Sequence, residues 1–271
     1  MKKKGATMEE LLHYEHVTIA YKGVAAVCDV SLSLRGGEIL GIVGESGSGK
    51  STLLRAAMGL LPPGGRVTEG CIIYKGKNLS ELSETEHRRL RGTELAMIFQ
   101  DPGASFCPVR TVGAQLYEAV SAHEAVTETE FRERAAALLQ RLRFSDSARI
   151  LGSYPFELSG GMMQRVAIAA AMLLSPAVLL ADEPTSALDV SVQKQAVDEL
   201  LLIRELYRTS VILVTHNIGV VRAMADRVAV MKDGAVTEYG DARDVLARPR
   251  EDYTRRLLAA VPRLRGKEAA S

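Results

Sequence analysis

The chain has 271 residues, of which 47% are hydrophobic and 25% are charged, and its formal net charge at pH 7 is +1. This length supports one compound domain, or two closely packed lobes, around a substantial core. The near-neutral charge argues against a nucleic-acid-binding surface, because contact with a phosphate backbone is expected to require a strongly basic stripe. The three cysteines are odd in number and far apart, which predicts reduced thiols rather than a disulfide framework or a metal cluster.

The first ten residues, MKKKGATMEE, are basic but lack the apolar stretch of a secretory signal, so residues 1–10 are interpreted as a disordered leader. From about His13 to Leu34, polar and apolar residues alternate, which predicts antiparallel strands with one face in solvent. The most apolar window, Val166 to Ala181, contains a Ser-Pro pair and is shorter than the roughly 18 to 20 residues that span a bilayer. Any connection to a membrane is therefore expected to run through partner proteins.

An apolar run from Ile39 to Val43 predicts a buried parallel strand, and the residues after it match the phosphate-binding pattern G-x-x-x-x-G-K-[ST]. A helix-compatible segment, Thr52 to Leu61, follows, as this pattern requires. In such loops glycine amides at a helix start converge on phosphate oxygens, a lysine adds a positive charge, and a serine hydroxyl ligates Mg²⁺. The sequence therefore predicts a site for a nucleoside triphosphate with its magnesium ion. The residues assigned to the nucleotide are Gly44, Glu45, Ser46, Gly47, Ser48, Gly49, Lys50, Ser51 and Thr52, and Ser51 is also assigned to the metal.

A second apolar run, Ala177 to Ala181, predicts another core strand, and it is followed by Asp182 and Glu183. Beside a phosphate-binding loop this pattern has the form of a Walker B motif. Asp182 is predicted to hold Mg²⁺ through water, and Glu183 to polarise the attacking water as a general base. The alternative is a strand that merely ends in a solvated Asp-Glu pair, and the phosphate-binding loop disfavours it.

Two more apolar runs, Leu95 to Phe99 and Val211 to Thr215, predict strands that are followed directly by Gln100 and His216. Open α/β sheets bind ligands at the carboxyl ends of their parallel strands, so the candidate residues are expected along one edge of one sheet. The segment from about Asp101 to Gln164 differs, because its apolar residues recur at helical spacing among charges. It predicts an inserted helical lobe.

The segment LSGGMMQR, Leu158 to Arg165, precedes an alanine-rich helical run and predicts an anion site at a helix N-terminus, formed by Ser159, Gly160 and Gly161. It resembles the signature motif of ATP-binding cassette (ABC) ATPases. An ordinary serine N-cap explains the motif locally, but not its occurrence with the two motifs above. In the ABC family the signature motif faces the ATP of the opposite subunit, so the resemblance implies two cassettes with two nucleotides buried between them.

Several residues take a role only from this resemblance. Tyr21 corresponds to the aromatic residue that stacks on adenine, and the alternative is a strand tyrosine that packs on the sheet. Gln100 matches the Q-loop glutamine that reaches the metal and the attacking water. Asp189 belongs to Ser-Ala-Leu-Asp, which matches the D-loop at the dimer interface, and His216 matches the switch histidine at the γ-phosphate. Asn217 stands where many relatives carry aspartate.

The implied fold is α/β: a P-loop NTPase ABC cassette with a RecA-like parallel-sheet core, an N-terminal antiparallel β subdomain and an inserted helical subdomain at about 101–164. The cassette is expected over residues 11–240, and an extension over 241–271. Two segments, Asp101 to Gly113 and the YTRRLLAAVP stretch from Tyr253 to Pro262, are similar to the dipeptide, oligopeptide and nickel importer group. In that group Leu-Asn commonly stands where this chain has Phe106 and Cys107.

The resemblance implies an ATP-hydrolysing subunit, with ATP and Mg²⁺, that powers an importer for peptides, nickel or metal-chelate and opine-like solutes. The implied partners are a second ABC ATPase chain, with a heterodimer favoured over a homodimer, two transmembrane permease subunits and, indirectly, an extracytoplasmic solute-binding protein. No nucleic acid is expected. The implied location is the cytoplasmic face of the cell membrane.

One alternative is a soluble ABC ATPase of an enzyme complex such as the phosphonate carbon-phosphorus lyase, whose cassettes also resemble peptide-importer ATPases. The partner, a polytopic permease or soluble lyase subunits, distinguishes the two. A DNA-repair or translation-factor ATPase is disfavoured by the near-neutral charge and the absence of long coiled-coil heptads.

Overall fold

The computed structural model describes residues 10–186 and 190–260, which form two β-sheets surrounded by helices. The strands are β1 (Glu10–Tyr21), β2 (Val24–Arg35), β3 (Ile39–Val43), β4 (Gly65–Tyr74), β5 (Lys77–Asn78), β6 (Leu95–Ile98), β7 (Val178–Asp182), β8 (Ser210–Val214), β9 (Arg227–Lys232) and β10 (Ala235–Asp241). The α-helices are α1 (Lys50–Ala57), α2 (Glu84–Leu90), α3 (Val112–Ser121), α4 (Glu128–Arg141), α5 (Ser147–Gly152), α6 (Gly160–Met172), α7 (Val190–Tyr207), α8 (Ile218–Met224), α9 (Ala242–Ala247) and α10 (Asp252–Ala259). Short 3₁₀ helices lie at Leu79–Glu81, Gly103–Ser105 and Pro155–Glu157.

The central sheet has six strands in the order β10-β9-β3-β8-β7-β6, and all pairs except β10-β9 are parallel. Successive residues of each core strand lie in different apolar clusters, one on each face of the sheet. In β7, Val178 and Leu180 pack toward α1 and the other sheet, whereas Leu179 and Ala181 pack toward α6 and α7. Burial on both faces explains why these strands are continuous apolar runs in the sequence.

The second sheet is antiparallel, with the order β2-β1-β4-β5, and it covers one face of the central sheet. The alternation predicted from His13 to Leu34 is realised in β1 and β2, where Leu12, Tyr14 and Val17 are buried. Residues 1–9 of the predicted leader lie outside the described residues, and Glu10 already belongs to β1. The predicted fold class, a parallel core with an antiparallel sheet at the N-terminal side, is confirmed.

The insertion between β6 and β7 is helical, as the spacing of its apolar residues predicts, and contains α3, α4 and α5. Thr127 and Glu130 form a reciprocal capping box at the start of α4, since each side chain accepts a hydrogen bond from the other residue's backbone N–H, at 3.3 and 2.9 Å. Phe131 and Leu139 of α4 belong to the same buried cluster as Ile98 of the central sheet. The helical subdomain and the sheet therefore share one core.

Helices α9 and α10 do not form a separate unit. Tyr253 of α10 is buried in a third apolar cluster with Val43, Val221 and Val230. This cluster attaches the C-terminal segment to the end of β3 and to α8. Within the described ranges, no helix is both long enough and apolar enough to span a membrane.

Candidate nucleotide-binding and hydrolysis site

The topology places the sequence-predicted motifs at one edge of the central sheet. The phosphate-binding loop follows β3, the acidic pair ends and follows β7, and the switch histidine follows β8, which lies between them. Gln100 follows β6 at the edge of the sheet. Because these strands are parallel, all four segments emerge at their carboxyl ends, as the ligand sites of open α/β sheets do.

The phosphate-binding loop joins β3 to α1 through a turn that requires glycine at its first position. Gly44 has φ +155°, and a Cβ there would lie 2.1 Å from the Met231 carbonyl oxygen of β9. No side chain fits in that space, so only glycine lets the loop pass so close to β9. The loop ends at Gly49, which is the N-cap of α1, and the first helical residue is Lys50.

The Lys50 side chain folds back over this loop. Its Nζ donates to the carbonyl oxygens of Gly44 at 2.9 Å and Glu45 at 2.7 Å, and the residue is only 5% exposed. Burial lowers the pKa of Lys50, while the carboxylates of Glu183, Asp182 and Glu45 oppose that shift. The ammonium group therefore lies between the loop and the acidic end of β7, where a triphosphate is expected.

Ser51 and Asp182 are joined directly, because the Ser51 hydroxyl donates to Asp182 Oδ1 at 2.7 Å. Asp182 is 2% exposed, and burial raises its pKa although the Ser51 hydroxyl and the Arg55 guanidinium act in the opposite direction. Two adjacent hard oxygen donors at the end of a phosphate-binding loop suit Mg²⁺, which prefers oxygen ligands and binds with phosphates. These two residues therefore fit the predicted magnesium site.

Glu183 is one residue further along and has an unusual backbone. Its φ is +49°, in the left-handed region, and its N–H donates to the Val214 carbonyl at 2.8 Å. Its Oε2 lies 2.6 Å from Nδ1 of His216. Two of the three predicted catalytic side chains, Glu183 and His216, are therefore paired.

A cleft of about 760 Å³ brings the predicted catalytic set together. Gln100, Glu183 and His216 all line it, and Gly160 of the signature motif and Ser186 lie at its walls. Ser186 donates through its hydroxyl to the Glu183 carbonyl at 3.1 Å. The rest of the predicted D-loop, including Asp189, lies outside the described residues.

The signature motif lies at the N-terminus of α6. Ser159 is the N-cap, and its hydroxyl accepts from the Met162 N–H at 3.3 Å, so the local capping role is observed and the anion site stays a prediction. A Cβ on Gly161 would lie 2.8 Å from Val192 of α7, but a Cβ on Gly160 would meet no atom within 4 Å. Ser159 and Gly160 are exposed. Nothing within the described part of this chain therefore covers the start of α6.

Tyr21 ends β1, and its ring packs against Gly65 of β4, where a Cβ would lie 2.5 Å from Tyr21 Cε1. This is the packing on the sheet that the sequence left open as the alternative. The contact between Tyr21 and adenine stays a prediction. Thr52 lies in the first turn of α1 and is half-buried.

The structure adds polar contacts that the sequence did not predict. Asn217 caps α8 by accepting from the Gly219 N–H at 2.8 Å, and its side-chain amide donates to Gln193 Oε1 at 3.0 Å. Gln193 in turn donates to the Thr185 carbonyl at 3.3 Å. Aspartate at 217 supplies the same cap but not the amide donor. The position of Asn217 before a helix signals the cap, whereas no sequence signal pairs it with Gln193.

A separate apolar groove of about 650 Å³ lies between the helical subdomain and the loop after β6. Phe99, Phe106 and Leu116 line it, and none of the paired site residues above does. The turn beside it is held by Gln115, which accepts from the Cys107 N–H at 2.7 Å and donates to the Cys107 carbonyl at 3.0 Å. Of the two departures from the importer group's pattern, Phe106 therefore shapes the groove, and Cys107 enters this turn through its backbone.

Comparison with known proteins identifies the class of protein to which this chain belongs. A family model described as "ABC transporter" matches residues 27–186. The chain belongs to this family, and it is an ATP hydrolase of the ABC type. The resemblance drawn from the motifs is confirmed.

Its relatives include the dipeptide transport ATP-binding protein DppD of Bacillus subtilis, which is 44% identical over 95% of this chain and 78% of the relative. The oligopeptide transport ATP-binding protein AmiE of Streptococcus pneumoniae is 43% identical over 90% of this chain and 69% of its own length. The oligopeptide transport ATP-binding protein OppD of Salmonella typhimurium is 45% identical over 89% of this chain and 72% of its own length.

Solved structures agree with the fold. The dimeric ATP-binding cassette MJ0796, in a post-hydrolysis state bound to ADP and Pi, superposes with a TM-score of 0.76 at 30% identity, over 86% of this chain and 99% of that one. The cbiO1 protein of Clostridium perfringens, part of an ABC transporter complex, gives a TM-score of 0.77 at 29% identity, over 89% and 92%.

Proposed function

We propose that this chain is the ATP-binding and ATP-hydrolysing subunit of an importer for peptides or related solutes, and that it works at the cytoplasmic face of the membrane. One observation supports the ATPase part of this proposal. At one edge of the central sheet, the structure brings together Lys50, Ser51, Asp182, Glu183 and His216. The transport part is supported by relatives at 43 to 45% identity whose names describe dipeptide and oligopeptide transport. No contact among the described residues favours nickel, opines or a phosphonate lyase over peptides.

In the proposed mechanism, the loop amides and the Lys50 ammonium bind the β- and γ-phosphates of ATP. Glu183 accepts a proton from the attacking water as the water oxygen adds to the γ-phosphorus and the β-phosphate oxygen of ADP leaves. His216 orients the Glu183 carboxylate through their 2.6 Å hydrogen bond, and Gln100, which lines the same cleft, orients the water. Ser51 and Asp182 would hold Mg²⁺, which neutralises negative charge on the phosphate oxygens.

The second nucleotide-facing surface, at Ser159 and Gly160, completes the site of another cassette in this proposal. An exposed helix N-terminus has unsatisfied N–H groups and a positive electrostatic potential, so it suits the γ-phosphate of an ATP held by a partner. This chain retains Asp182, Glu183 and His216. We therefore expect both its own site and the site it completes to be used, most simply in a heterodimer with a second ABC ATPase.

The apolar groove is the proposed docking site for a permease. It is lined by aromatic and aliphatic side chains and has Arg110 and Glu118 at its rim, where they form an ion pair. A short amphipathic helix presents an apolar face to such a groove and polar groups to its rim. Because the groove adjoins the loop that carries Gln100, occupation of the cleft and movement of a permease are coupled through one element.

The proposal is tested by purifying tagged Glu183→Gln protein with MgATP from detergent-solubilised cells of its source and identifying the proteins that accompany it. Two polytopic permeases and a second cassette are expected. Phe106→Asp places a charge in the groove and is expected to remove the permeases while MgATP binding persists. Val109→Asp is the matched control, because Val109 is 78% exposed on the same loop and does not line the groove.

Recovery of soluble lyase subunits in place of permeases would refute the importer assignment and support the alternative, an ATPase of a soluble enzyme complex. Permease recovery with the Phe106→Asp protein equal to that with Val109→Asp would refute the docking site and leave the importer assignment standing.

A further inference from the structure

A residue of the C-terminal segment touches the phosphate-binding loop. The backbone N–H of Glu45 donates to the hydroxyl oxygen of Tyr253 at 3.2 Å, across 208 positions of sequence. Tyr253 lies in the first turn of α10 and is 8% exposed. Burial raises the pKa of its phenol, although the hydrogen bond from the Glu45 N–H acts to lower it, so the hydroxyl keeps its proton at neutral pH.

Hydrogen bonds fix the peptide groups on both sides of Glu45. On the amino side, the Glu45 N–H is held by Tyr253. On the carbonyl side, the Glu45 oxygen accepts from Lys50 Nζ at 2.7 Å. Glu45 is exposed and has no buried side chain to anchor it, so its backbone is held by these two hydrogen bonds together with the one that its carbonyl accepts from the Ser48 N–H at 3.3 Å. A displacement at Tyr253 therefore passes to the carbonyl that positions the Lys50 ammonium.

Helix α10 is itself held firmly enough to act as a support. Two carboxylate oxygens of Glu238, on β10, accept from the N–H groups of Arg250 at 2.9 Å and Glu251 at 3.3 Å, immediately before the helix begins. The Tyr253 ring lies in the cluster that contains Val43, the last residue before the loop, and the Lys232 ammonium lies 5.4 Å from the ring centroid. The ring is thus fixed by packing and the hydroxyl by its hydrogen bond.

We propose that Tyr253 is a positioning residue of the ATPase: its hydroxyl fixes the Glu45 peptide and, through that peptide, the Lys50 ammonium that binds phosphate. The inference rests on the assignment of this loop to ATP. It makes the segment after residue 241 part of the ATP-binding machinery as well as a covering for the sheet.

The test compares Tyr253→Phe with the wild-type chain. Phenylalanine keeps the ring, its packing and the contact with Lys232, and removes only the hydroxyl. Loss of one hydrogen bond to a backbone amide is expected to weaken MgATP binding about fivefold, measured by titration calorimetry. In steady-state hydrolysis the same loss is expected in KM, with kcat changed by less, because Tyr253 does not touch the reacting atoms.

Tyr239→Phe is the matched control. Its hydroxyl accepts from the Ser33 N–H at 3.0 Å and donates to the Ser33 carbonyl at 2.9 Å, and its ring lies beneath Arg227 at 4.4 Å. Tyr239→Phe therefore loses hydrogen bonds of the same kind, but these are made to Ser33 and not to the phosphate-binding loop. We expect a lower melting temperature for Tyr239→Phe with an unchanged dissociation constant for MgATP.

Amide hydrogen exchange of the peptide that contains residues 44–50 gives a second readout, and Tyr253→Phe is expected to exchange faster there than Tyr239→Phe. Equal MgATP affinity and equal exchange in the two variants would overturn the role of Tyr253. Lys50→Ala separates this failure from that of the underlying assignment. If Lys50→Ala also binds MgATP like the wild type, the loop is not the nucleotide site at all.

Discussion

Glu183 occupies a backbone conformation that costs energy, and its surroundings hold it there. A non-glycine residue with φ near +49° is disfavoured by about 1 to 2 kcal/mol relative to an ordinary conformation. The hydrogen bond that its N–H donates to the Val214 carbonyl and the hydrogen bond between its carboxyl group and His216 Nδ1 offset that cost. Backbone strain of this kind concentrates at functional sites, and here it turns the carboxylate into the cleft that Gln100 lines.

We predict that Glu183→Gln binds MgATP like the wild type but hydrolyses it at least about 100-fold more slowly. The amide keeps the shape of the side chain and still accepts a hydrogen bond from His216 Nδ1, but it does not accept a proton from water. Steady-state phosphate release and equilibrium nucleotide binding measure the two effects separately. Glu157→Gln changes an exposed carboxylate outside the cleft and should leave both unchanged.

Hydrolysis near the wild-type rate in the Glu183→Gln protein would remove this residue from the role of general base. The strained backbone would then have a structural explanation only, as the link from β7 to the residues that follow it.

Most of the predicted site residues could be found from sequence because each lies in a contiguous motif whose chemistry is local. The loop from Gly44 to Ser51 carries its own glycines, lysine and serine, and Asp182 and Glu183 follow a recognisable strand. Tyr253 could not be found in this way, since its contact with Glu45 joins residues 208 positions apart and depends on how α10 packs. The pairing of Asn217 with Gln193 was missed for the same reason.

Among the elements, the buried parallel strands were predicted within a residue at each end. Leu95 to Phe99 is observed as Leu95–Ile98, and Ala177 to Ala181 as Val178–Asp182. These strands are buried on both faces, so their whole length is apolar and stands out from the sequence. In contrast, β4 was not predicted, because most of its residues are half-exposed or exposed and only Ile72 and Tyr74 are buried. Its place is set by pairing with β1, which a local pattern does not reveal.

Helix α7 carries a buried acid that the proposed chemistry does not use. Glu199 is 2% exposed, its Oε1 accepts from Gln195 at 3.2 Å and lies 3.8 Å from Arg165 Nε, and its Oε2 has no hydrogen-bond partner among the described residues. Burial raises its pKa to about 7, while the positive charge of Arg165 opposes the shift. Arg165 belongs to the signature helix α6, so this contact joins α6 to α7.

A raised pKa makes the folded state bind a proton that the unfolded chain releases. Between about pH 4.5, the usual value for glutamate, and about pH 7, the contribution of Glu199 to the free energy of unfolding therefore falls as the pH rises. The difference between the usual glutamate pKa of 4.5 and a pKa of about 7 corresponds to about 3 kcal/mol at most. Above pH 7 the contribution is constant, and the protein carries a charged, incompletely hydrogen-bonded carboxylate in its core.

We predict that Glu199→Gln flattens the pH dependence of stability between pH 5 and 7 and leaves the protein about 1 to 2 kcal/mol more stable than the wild type at pH 8. The gain is smaller than the full shift because Arg165 loses its partner carboxylate. Urea denaturation at several pH values measures it. Glu205→Gln, on the exposed side of the same helix, is the control and should follow the wild-type curve. Parallel curves for all three proteins would show that Glu199 does not titrate in this range.

At the scale of the whole molecule, the two surfaces proposed to face nucleotides have different structural requirements. The loop between β3 and α1 is closed by its own contacts, since Lys50 binds two of its carbonyls and Gly44 fits against Met231. The start of α6 is open, because a Cβ on Gly160 would meet no atom within 4 Å. The packing of this chain therefore does not require glycine at position 160. An anionic ligand that approaches the backbone from outside would require glycine there, because a side chain would occupy its space.

This difference gives a prediction about assembly. Gly160→Asp adds a carboxylate at the first position of α6, where open space accepts it and where the positive end of the helix dipole favours a negative charge. The isolated chain should therefore fold with equal or slightly higher stability and keep its own affinity for MgATP. In the complex purified through this chain, the carboxylate would face the γ-phosphate held by the partner cassette, and ATP hydrolysis is expected to fall at least about tenfold.

Gly152→Asp is the control, because Gly152 is also exposed at a helix end and a Cβ there meets no atom within 4 Å, so activity should persist. Equal hydrolysis by the two aspartate variants would mean that the start of α6 does not face a nucleotide in the assembled protein, and a fall in the stability of the isolated Gly160→Asp chain would show that glycine serves the fold at this position.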